Sequence, residues 1–348
     1  IVHMDILTQI SKLSRRLMLV EAAAVAVIAS IASGCNTDFL PDDEGQPMVV
    51  VNVVATPDRE LTARVTRTWP HSQWPKPDVT LADASVAYTV NGRPCGLMTF
   101  NDSTKSFTAP YVPTEGDEIA IEVVSEQYGT AAGYTKVPRK VKIDHWSFTP
   151  VEFTDLNGIV DDGTSLSYLR RLDIRYSITF TDPAGEENYY MLTGRPYYEP
   201  GGGISTDPII SENDTPLEAV FSDRKTFIVF SDRNIDGRTY TFSYTCSYEP
   251  FIPIEEWARG RITDRMALCS ISRDYYLYLL SVYKKYGDLN SNLENLGLSE
   301  PKIIYSNVNP GIGIIGSQSA DSIVNDVHDI VCDFVGVDPD YWDQIKKP

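Results

Sequence analysis

Leu172-Asp173-Ile174-Arg175-Tyr176-Ser177-Ile178-Thr179-Phe180 alternates apolar and polar side chains without a break. An extended strand turns successive side chains to opposite faces. This period therefore buries Leu172, Ile174, Tyr176, Ile178 and Phe180 and leaves Asp173, Arg175, Ser177 and Thr179 facing water. A helix would scatter the same apolar residues around its circumference. Asp182-Pro183-Ala184-Gly185 supplies a turn, and Tyr189 to Thr193 returns as the neighbouring strand. Phe227–Phe230 and the apolar phase Tyr240, Phe242, Tyr244, Cys246 give a further hairpin.

Upstream, Met48–Ala55 is a β-branched run and Leu61–Arg67 alternates. Ser85–Val90 leads through Asn91-Gly92 into Leu97–Phe100, and Asn-Gly is a strong signal for a two-residue hairpin turn. Ile119, Ile121 and Val123 alternate with Ala120, Glu122 and Val124. Strands divided by turns with no helical stretch predict a sandwich. Val137 to Ile143 then leaves this unit. The expectation is a mainly β chain of two antiparallel β-sandwich-like domains. Residues 48–145 form an immunoglobulin-like or transthyretin-like sandwich, and residues 146–348 form a second β-rich domain.

One helix is expected on the second domain, over 272–286. Ser272 can cap it, Asp274 suits its positive end, and Tyr276, Leu279, Leu280 and Tyr283 share a face. Lys284 and Lys285 lie in its last turn, and Gly287 can end it. A short helix is also expected over 338–345. Between Tyr198 and Lys225 a long loop holds Gly201-Gly202-Gly203, with a short strand near Leu217–Phe221.

The first 34 residues read as a targeting segment. Lys12, Arg15 and Arg16 precede an uncharged stretch, Ala22–Ser33, too short to span a bilayer and right for a signal peptide. It runs into Ala32-Ser33-Gly34-Cys35, small residues before a cysteine, as a lipoprotein signal peptidase requires. Cys35 is therefore the expected lipidation site, and residues 35–47 an acidic flexible tether. The expected location is the outer membrane, lipid-anchored, at the cell surface or on the periplasmic face.

The chain has 348 residues and a formal charge of −18, and removing the first 34 leaves it more acidic still. Such a body repels phosphate backbones, which argues against nucleic acid as a partner. Cys95, Cys246, Cys269 and Cys332 show no C-x-x-C spacing. The compartment permits a Cys246–Cys269 bridge, with buried thiols as the default.

No motif carries clear catalytic chemistry. Beyond the targeting segment the histidines are His71, His145 and His328, with no H-E-x-x-H and no G-x-S-x-G. Gly311-Ile312-Gly313-Ile314-Ile315-Gly316 matches G-x-G-x-x-G, but Asn307-Val308-Asn309-Pro310 precedes it and no helix signal follows. It reads as a strand with close-approach glycines, and no cofactor is expected. Asp232, Asn234 and Asp236 match the first half of a calcium loop, yet its twelfth position is Ser243. They are a weak calcium candidate, as are Asp155, Asn157, Asp161 and Asp162. Trp69-Pro70-His71-Ser72-Gln73-Trp74-Pro75 sets tryptophans among prolines. Trp69, His71 and Trp74, with Tyr197 and Tyr198 at the mouth of the glycine-rich loop, are the candidate binding residues.

The order of several short motifs carries a family resemblance. Val65-Thr66-Arg67-Thr68-Trp69-Pro70 is followed by Ala84-Ser85-Val86, by Tyr128 to Tyr134, and by Phe180-Thr181-Asp182-Pro183 with Asn188-Tyr189-Tyr190. Asp236-Gly237-Arg238-Thr239-Tyr240, Ser270-Ile271-Ser272 leading to Tyr275-Tyr276-Leu277-Tyr278, and Tyr305-Ser306-Asn307-Val308 with Gly311-Ile312-Gly313-Ile314 complete the series. Together these resemble the Bacteroidetes lipoproteins catalogued as domain of unknown function 4249. That family has no established catalytic or binding residues to carry over. Its members are often encoded beside TonB-dependent transporters, which implies an accessory role with such a transporter. The expected function is thus a non-enzymatic binding or accessory component that takes a glycan or other nutrient. A structural, adhesive sandwich subunit is the alternative, and a glycan hydrolase comes after it.

Overall fold

Strands form where the sequence alternates. The computed structural model describes residues 45–70, 75, 77–161, 166–199, 206–209, 220–222, 225–248, 261–286, 303–326, 328–336 and 338. Every strand and helix below lies in one compact unit made of Pro47–Trp69 and Asp78–Pro348. The targeting segment, Cys35 and nearly all of the tether lie outside the described residues, as do His71 and Trp74.

The first eight strands are β1 (Val49–Ala55), β2 (Thr62–Arg67), β3 (Ser85–Val90), β4 (Arg93–Leu97), β5 (Thr99–Asn101), β6 (Ser106–Thr108), β7 (Glu118–Ser125) and β8 (Gly129–Lys136). Then come β9 (Ile143–Asp161), β10 (Leu166–Thr181), β11 (Tyr189–Glu199), β12 (Thr206–Ile209), β13 (Val220–Ser222), β14 (Lys225–Ser231), β15 (Thr239–Tyr248) and β16 (Arg261–Ile271). Helix α1 (Arg273–Tyr286), β17 (Ile312–Asp326) and helix α2 (His328–Val335) follow.

Three sheets result. The largest has the order β13-β14-β11-β16-β17-β1-β2-β6-β5; the others are β12-β15-β10-β9 and β4-β3-β7-β8. The β1–β2 end of the large sheet faces β3 and β7 across a core that includes Val51, Val53, Val65, Val86, Ile119, Ile121 and Phe107. Its other end faces β10 and β15 across a core rich in aromatic rings. There Tyr190 packs 5.2 Å from Phe180 and 5.3 Å from Phe230, centroid to centroid. Buried aromatic pairs at such spacings add to the stabilisation from area alone. The mainly β, sandwich-like architecture read from the sequence is the one observed.

The cores change over between Val137 and Val141, close to the position 145 at which the sequence suggested a new unit. The hydrogen-bonded sheet does not stop there. β17 pairs antiparallel with β16 through 318–326 and parallel with β1 through 312–317. It also returns Ile315 to the first core, where Val308 joins it. The β1–β17 pair departs from the purely antiparallel expectation. From Ile312 on, the G-x-G-x-x-G segment is strand, and its glycines mark close approach. Gly313 has φ +126°, and a Cβ there would lie 2.0 Å from the Val51 carbonyl oxygen. A Cβ at Gly316 would lie 2.8 Å from the Tyr275 side chain.

Helix α1 is the expected one. Ser272 Oγ accepts the Tyr275 N–H at 3.4 Å, and the Ser272 carbonyl accepts the Tyr276 N–H at 2.9 Å. Its Tyr276 and Leu279 are buried against Met191, Val229, Cys269 and Ile271, on the face of the large sheet away from the aromatic core. The last helix differs from expectation. It occupies His328–Val335, with Asp326 Oδ1 accepting the His328 N–H at 3.2 Å. Asp338 lies beyond it and is not helical, and the rest of 338–345 falls outside the described residues. Cys269 is a free, buried thiol, so the Cys246–Cys269 bridge is not formed. Burial pushes the Cys269 thiol up to about 12 and the Cys332 thiol up to about 11, which leaves both unreactive near neutrality.

Candidate binding groove

The outer face of β3, β7 and β8 is paved with small residues. Register sets Ala87 beside Glu122 beside Ala132 in one row, and Thr89 beside Ala120 beside Tyr134 in the next. The opposite faces of the same strands carry Val86, Tyr88, Ile121 and Val123 into the first core. Alternation therefore fixes which residues can reach a ligand. With no long side chain over Ala87, Ala120, Ala132 or Gly133, a groove of about 460 Å³ opens above them, with Tyr134, Glu122, Thr89, Asn307 and Asn309 also at its lining. The volume is that of a small-ligand site, typically about 300–1,000 Å³. Tyr134, on the edge strand β8, is 70% exposed, a high value for a large ring.

The chain seals one side of this groove itself. Asn309 N–H donates to the Ala132 carbonyl at 2.8 Å, and Ala132 N–H donates back to Asn309 O at 3.3 Å. Asn307 Nδ2 donates to Tyr134 O at 3.2 Å and to Ile315 O at 2.9 Å, while its Oδ1 accepts the Ile315 N–H at 2.9 Å. Ser317 Oγ donates to Lys136 O at 2.7 Å. The outward carbonyls of Ala132, Tyr134 and Lys136 and the Ala132 N–H are thus occupied. A side-chain Cβ at Gly133 would lie 2.8 Å from Asn307 O, so glycine is what lets the segment come so close.

A second cluster joins two turns of the other sandwich. One carboxylate oxygen from each of Asp182, Asp232 and Asp236 lies within 4.8 Å of the others. The sequence offered Asp232, Asn234 and Asp236; the fold replaces Asn234 with Asp182, which lies in the turn after β10. Each carboxylate has protein partners. Asp182 accepts the Tyr190 O–H and the Gly237 N–H, Asp232 accepts the Asn188 N–H at 2.6 Å, and Asp236 accepts the Gly185 N–H at 2.8 Å. The cluster ties the 182–188 turn to the 232–238 turn. Burial is the main cause that lifts the Asp182 and Asp232 carboxyls above their ordinary value.

The residues singled out from sequence are spread along the chain. Trp69, just after β2, is 40% exposed. Tyr197 and Tyr198 lie in β11, and Asp155, Asn157 and Asp161 in β9; the side chains of these five are outside the described residues, as is Asp162. His145 is exposed on β9, and His328 opens α2 with its Nε2 3.6 Å from Cys332 Sγ. Of those with described side chains, Trp69, His145 and His328, none lines the groove. The groove residues gave a faint signal: Ala87, Ala120 and Ala132 occupy outward strand positions where longer polar side chains usually stand, and that phase is readable only once the inward face is known.

No curated protein sequence matches the chain. Solved structures that resemble it do so weakly. A membrane-anchored protein of Corynebacterium diphtheriae is 13% identical, covering 65% of this chain and 55% of that one, with a TM-score of 0.18. Carbohydrate-binding modules of a β-sandwich superfamily are 8% identical over 61% of this chain and 94% of theirs, with a TM-score of 0.17. The collagen-binding domain of the Erysipelothrix rhusiopathiae surface protein RspB is 7% identical over 80% and 97%, with a TM-score of 0.18. Likenesses this slight decide nothing about a ligand. The chain therefore spans about half of the first of these structures. At the level of sequence the pattern of one family fits residues 37–323, most of the chain, and the protein belongs to that family, described as Domain of unknown function (DUF4249).

Proposed function

We propose that this is a lipid-anchored outer-membrane protein that binds its ligand without transforming it, using the groove over β3, β7 and β8. The anchor is the diacylglyceryl thioether on Cys35, and the working partner is a TonB-dependent transporter for a nutrient. The observation that carries the reading is the groove itself: an exposed tyrosine beside a floor of small residues, held on rigid strands. A floor of short side chains leaves room for a ligand against the sheet, and an aromatic wall offers contact area at low conformational cost. Among the described residues that line the groove, Glu122 is the single carboxylate. Two-carboxylate hydrolysis needs a facing pair, so the lining favours binding over glycan cleavage. A strand-donating adhesive subunit needs an open slot. The contacts along β8 weigh against that role at this edge of the sheet.

The test uses the full chain recovered from washed native membranes in mild detergent, with co-purifying protein and small molecules identified by mass spectrometry. Ala132→Arg fills the groove, and Ser103→Arg, exposed in the β5–β6 turn, is the control. The expected outcome is a transporter or nutrient recovered with the unmodified chain and the control, and reduced at least about tenfold with Ala132→Arg, a loss of roughly 1.4 kcal/mol. Equal recovery from all three, or no bound material at all, overturns the proposal.

A further inference from the structure

We infer that the groove selects an uncharged saccharide, an inference that rests on its being the binding face. A sugar ring has an apolar C–H face and a rim of hydroxyls. The groove offers the complement. Ala120, Ala132 and Gly133 give an apolar floor one residue deep, Tyr134 gives an aromatic wall, and Thr89, Glu122 and Asn309 supply hydroxyl, carboxylate and amide groups around it. Register places Tyr134 opposite Ala120 and Glu122 opposite Ala132. Tyr134 and Glu122 are thus diagonal neighbours, roughly 7–8 Å apart at the backbone, with small side chains at the other two corners. A ring lying on those alanines meets the tyrosine on one side and a hydroxyl acceptor on the other.

Other ligand classes fit less well. An extended peptide that adds to the sheet at the β8 edge needs free backbone groups there, and Asn307, Asn309 and Ser317 already take the carbonyls of Ala132, Tyr134 and Lys136 and the Ala132 N–H. A phosphate or other anion would meet Glu122, the one charged residue among the described residues of the lining, on a chain of net charge −18. A wholly apolar molecule would leave the carboxylate and the Asn309 amide unsatisfied beneath it. Neutral hydroxyls satisfy both groups and leave the floor to the C–H face.

A microarray of uncharged oligosaccharides (gluco-, xylo-, manno- and galacto-configured) probed with the full chain in detergent, followed by calorimetric titration of the hits, tests this. At least one saccharide is expected to bind. Tyr134→Ala should weaken it about tenfold and Tyr134→Phe by less than about threefold, because the ring and not the hydroxyl makes the contact. Glu122→Gln should weaken it several-fold, and raised salt should change little. Tyr134 is exposed, so its variants should melt with the unmodified chain; Ala132→Arg provides the independent block. No uncharged binder, or a binder indifferent to both Tyr134→Ala and Ala132→Arg, overturns the inference. If saccharides fail while Ala132→Arg still strips the membrane-recovered partner, the ligand class alone is wrong. If Ala132→Arg strips nothing, the groove reading falls with it.

Discussion

Asp117 shows how a single buried carboxylate can hold a sandwich end together. It is 7% exposed and accepts from the Tyr111 O–H, from the Thr114 N–H at 2.7 Å and hydroxyl at 2.8 Å, and from Asn91 Nδ2 at 2.8 Å. Burial alone would raise its carboxyl, but these donors outweigh it and hold the group below its ordinary value of 3.8. Tyr111, desolvated and facing that carboxylate, is pushed up to about 12. A carboxyl lowered in the fold stabilises above its unfolded value, and the benefit is lost as pH falls through the folded one. Asp117→Asn should therefore cost about 2 kcal/mol at neutral pH, the range for hydrogen bonds to a charged group. The gap to the unmodified chain should shrink once pH drops below 3.8. Urea denaturation at neutral and acid pH measures both; a gap that stays constant would refute the assignment. Asp182 and Asp232 run the other way, since a raised carboxyl costs stability as pH climbs from 3.8 towards its folded value.

The parallel β1–β17 pair is the element that sequence periodicity conveyed least well. Alternation found β10 from Leu172 to Phe180 and the Asn91-Gly92 hairpin, and caps and charges found α1, because each signal is local. Asn91 and Gly92 both have positive φ, +50° and +75°, as such a turn requires. The partner of β1 lies more than 250 residues away in sequence, and no local pattern specifies so distant a pairing. The α2 helix was legible in hindsight through Asp326 before it and Gly336 after it, at φ +75°. The groove was less legible still, since it depends on three strands and the 307–309 segment meeting in space. Glycine is where β17 records its partner. Gly313→Ala adds a Cβ 2.0 Å from the Val51 oxygen at a φ of +126°, so overpacking and backbone strain add to roughly 3 kcal/mol or more. Gly185→Ala meets nothing within 4 Å at φ +82° and should cost only about 1 kcal/mol. Thermal melts of the two variants check the contrast, and equal shifts would mean that the close approach at Gly313 contributes nothing.

At the scale of the whole molecule, the large sheet makes two cores depend on one strand. β17 holds β16 along its second half and β1 along its first, and it carries Ile315 into a core that, apart from Val308, is otherwise built from residues before 138. Ser317 and Ser319 extend the tie, their hydroxyls donating at 2.7 Å to the carbonyls of Lys136, at the end of β8, and Pro138, in the segment between the cores. A fragment of residues 48–145 would keep β1 to β8 but lose β17, Val308 and Ile315, exposing one side of β1 and part of the buried face of β8. Each large apolar side chain removed from such a core costs about 2–5 kcal/mol, a sizeable share of the roughly 5–15 kcal/mol that holds an ordinary domain folded. The fragment is therefore expected to lack a cooperative melt, whereas the full chain should lose both sandwiches in one transition. Hydrogen exchange measured separately on β7 and β10 distinguishes the cases. Matching opening free energies in the two strands support coupling through β17, and a β7 that exchanges independently while the fragment melts sharply would show that the first sandwich stands alone.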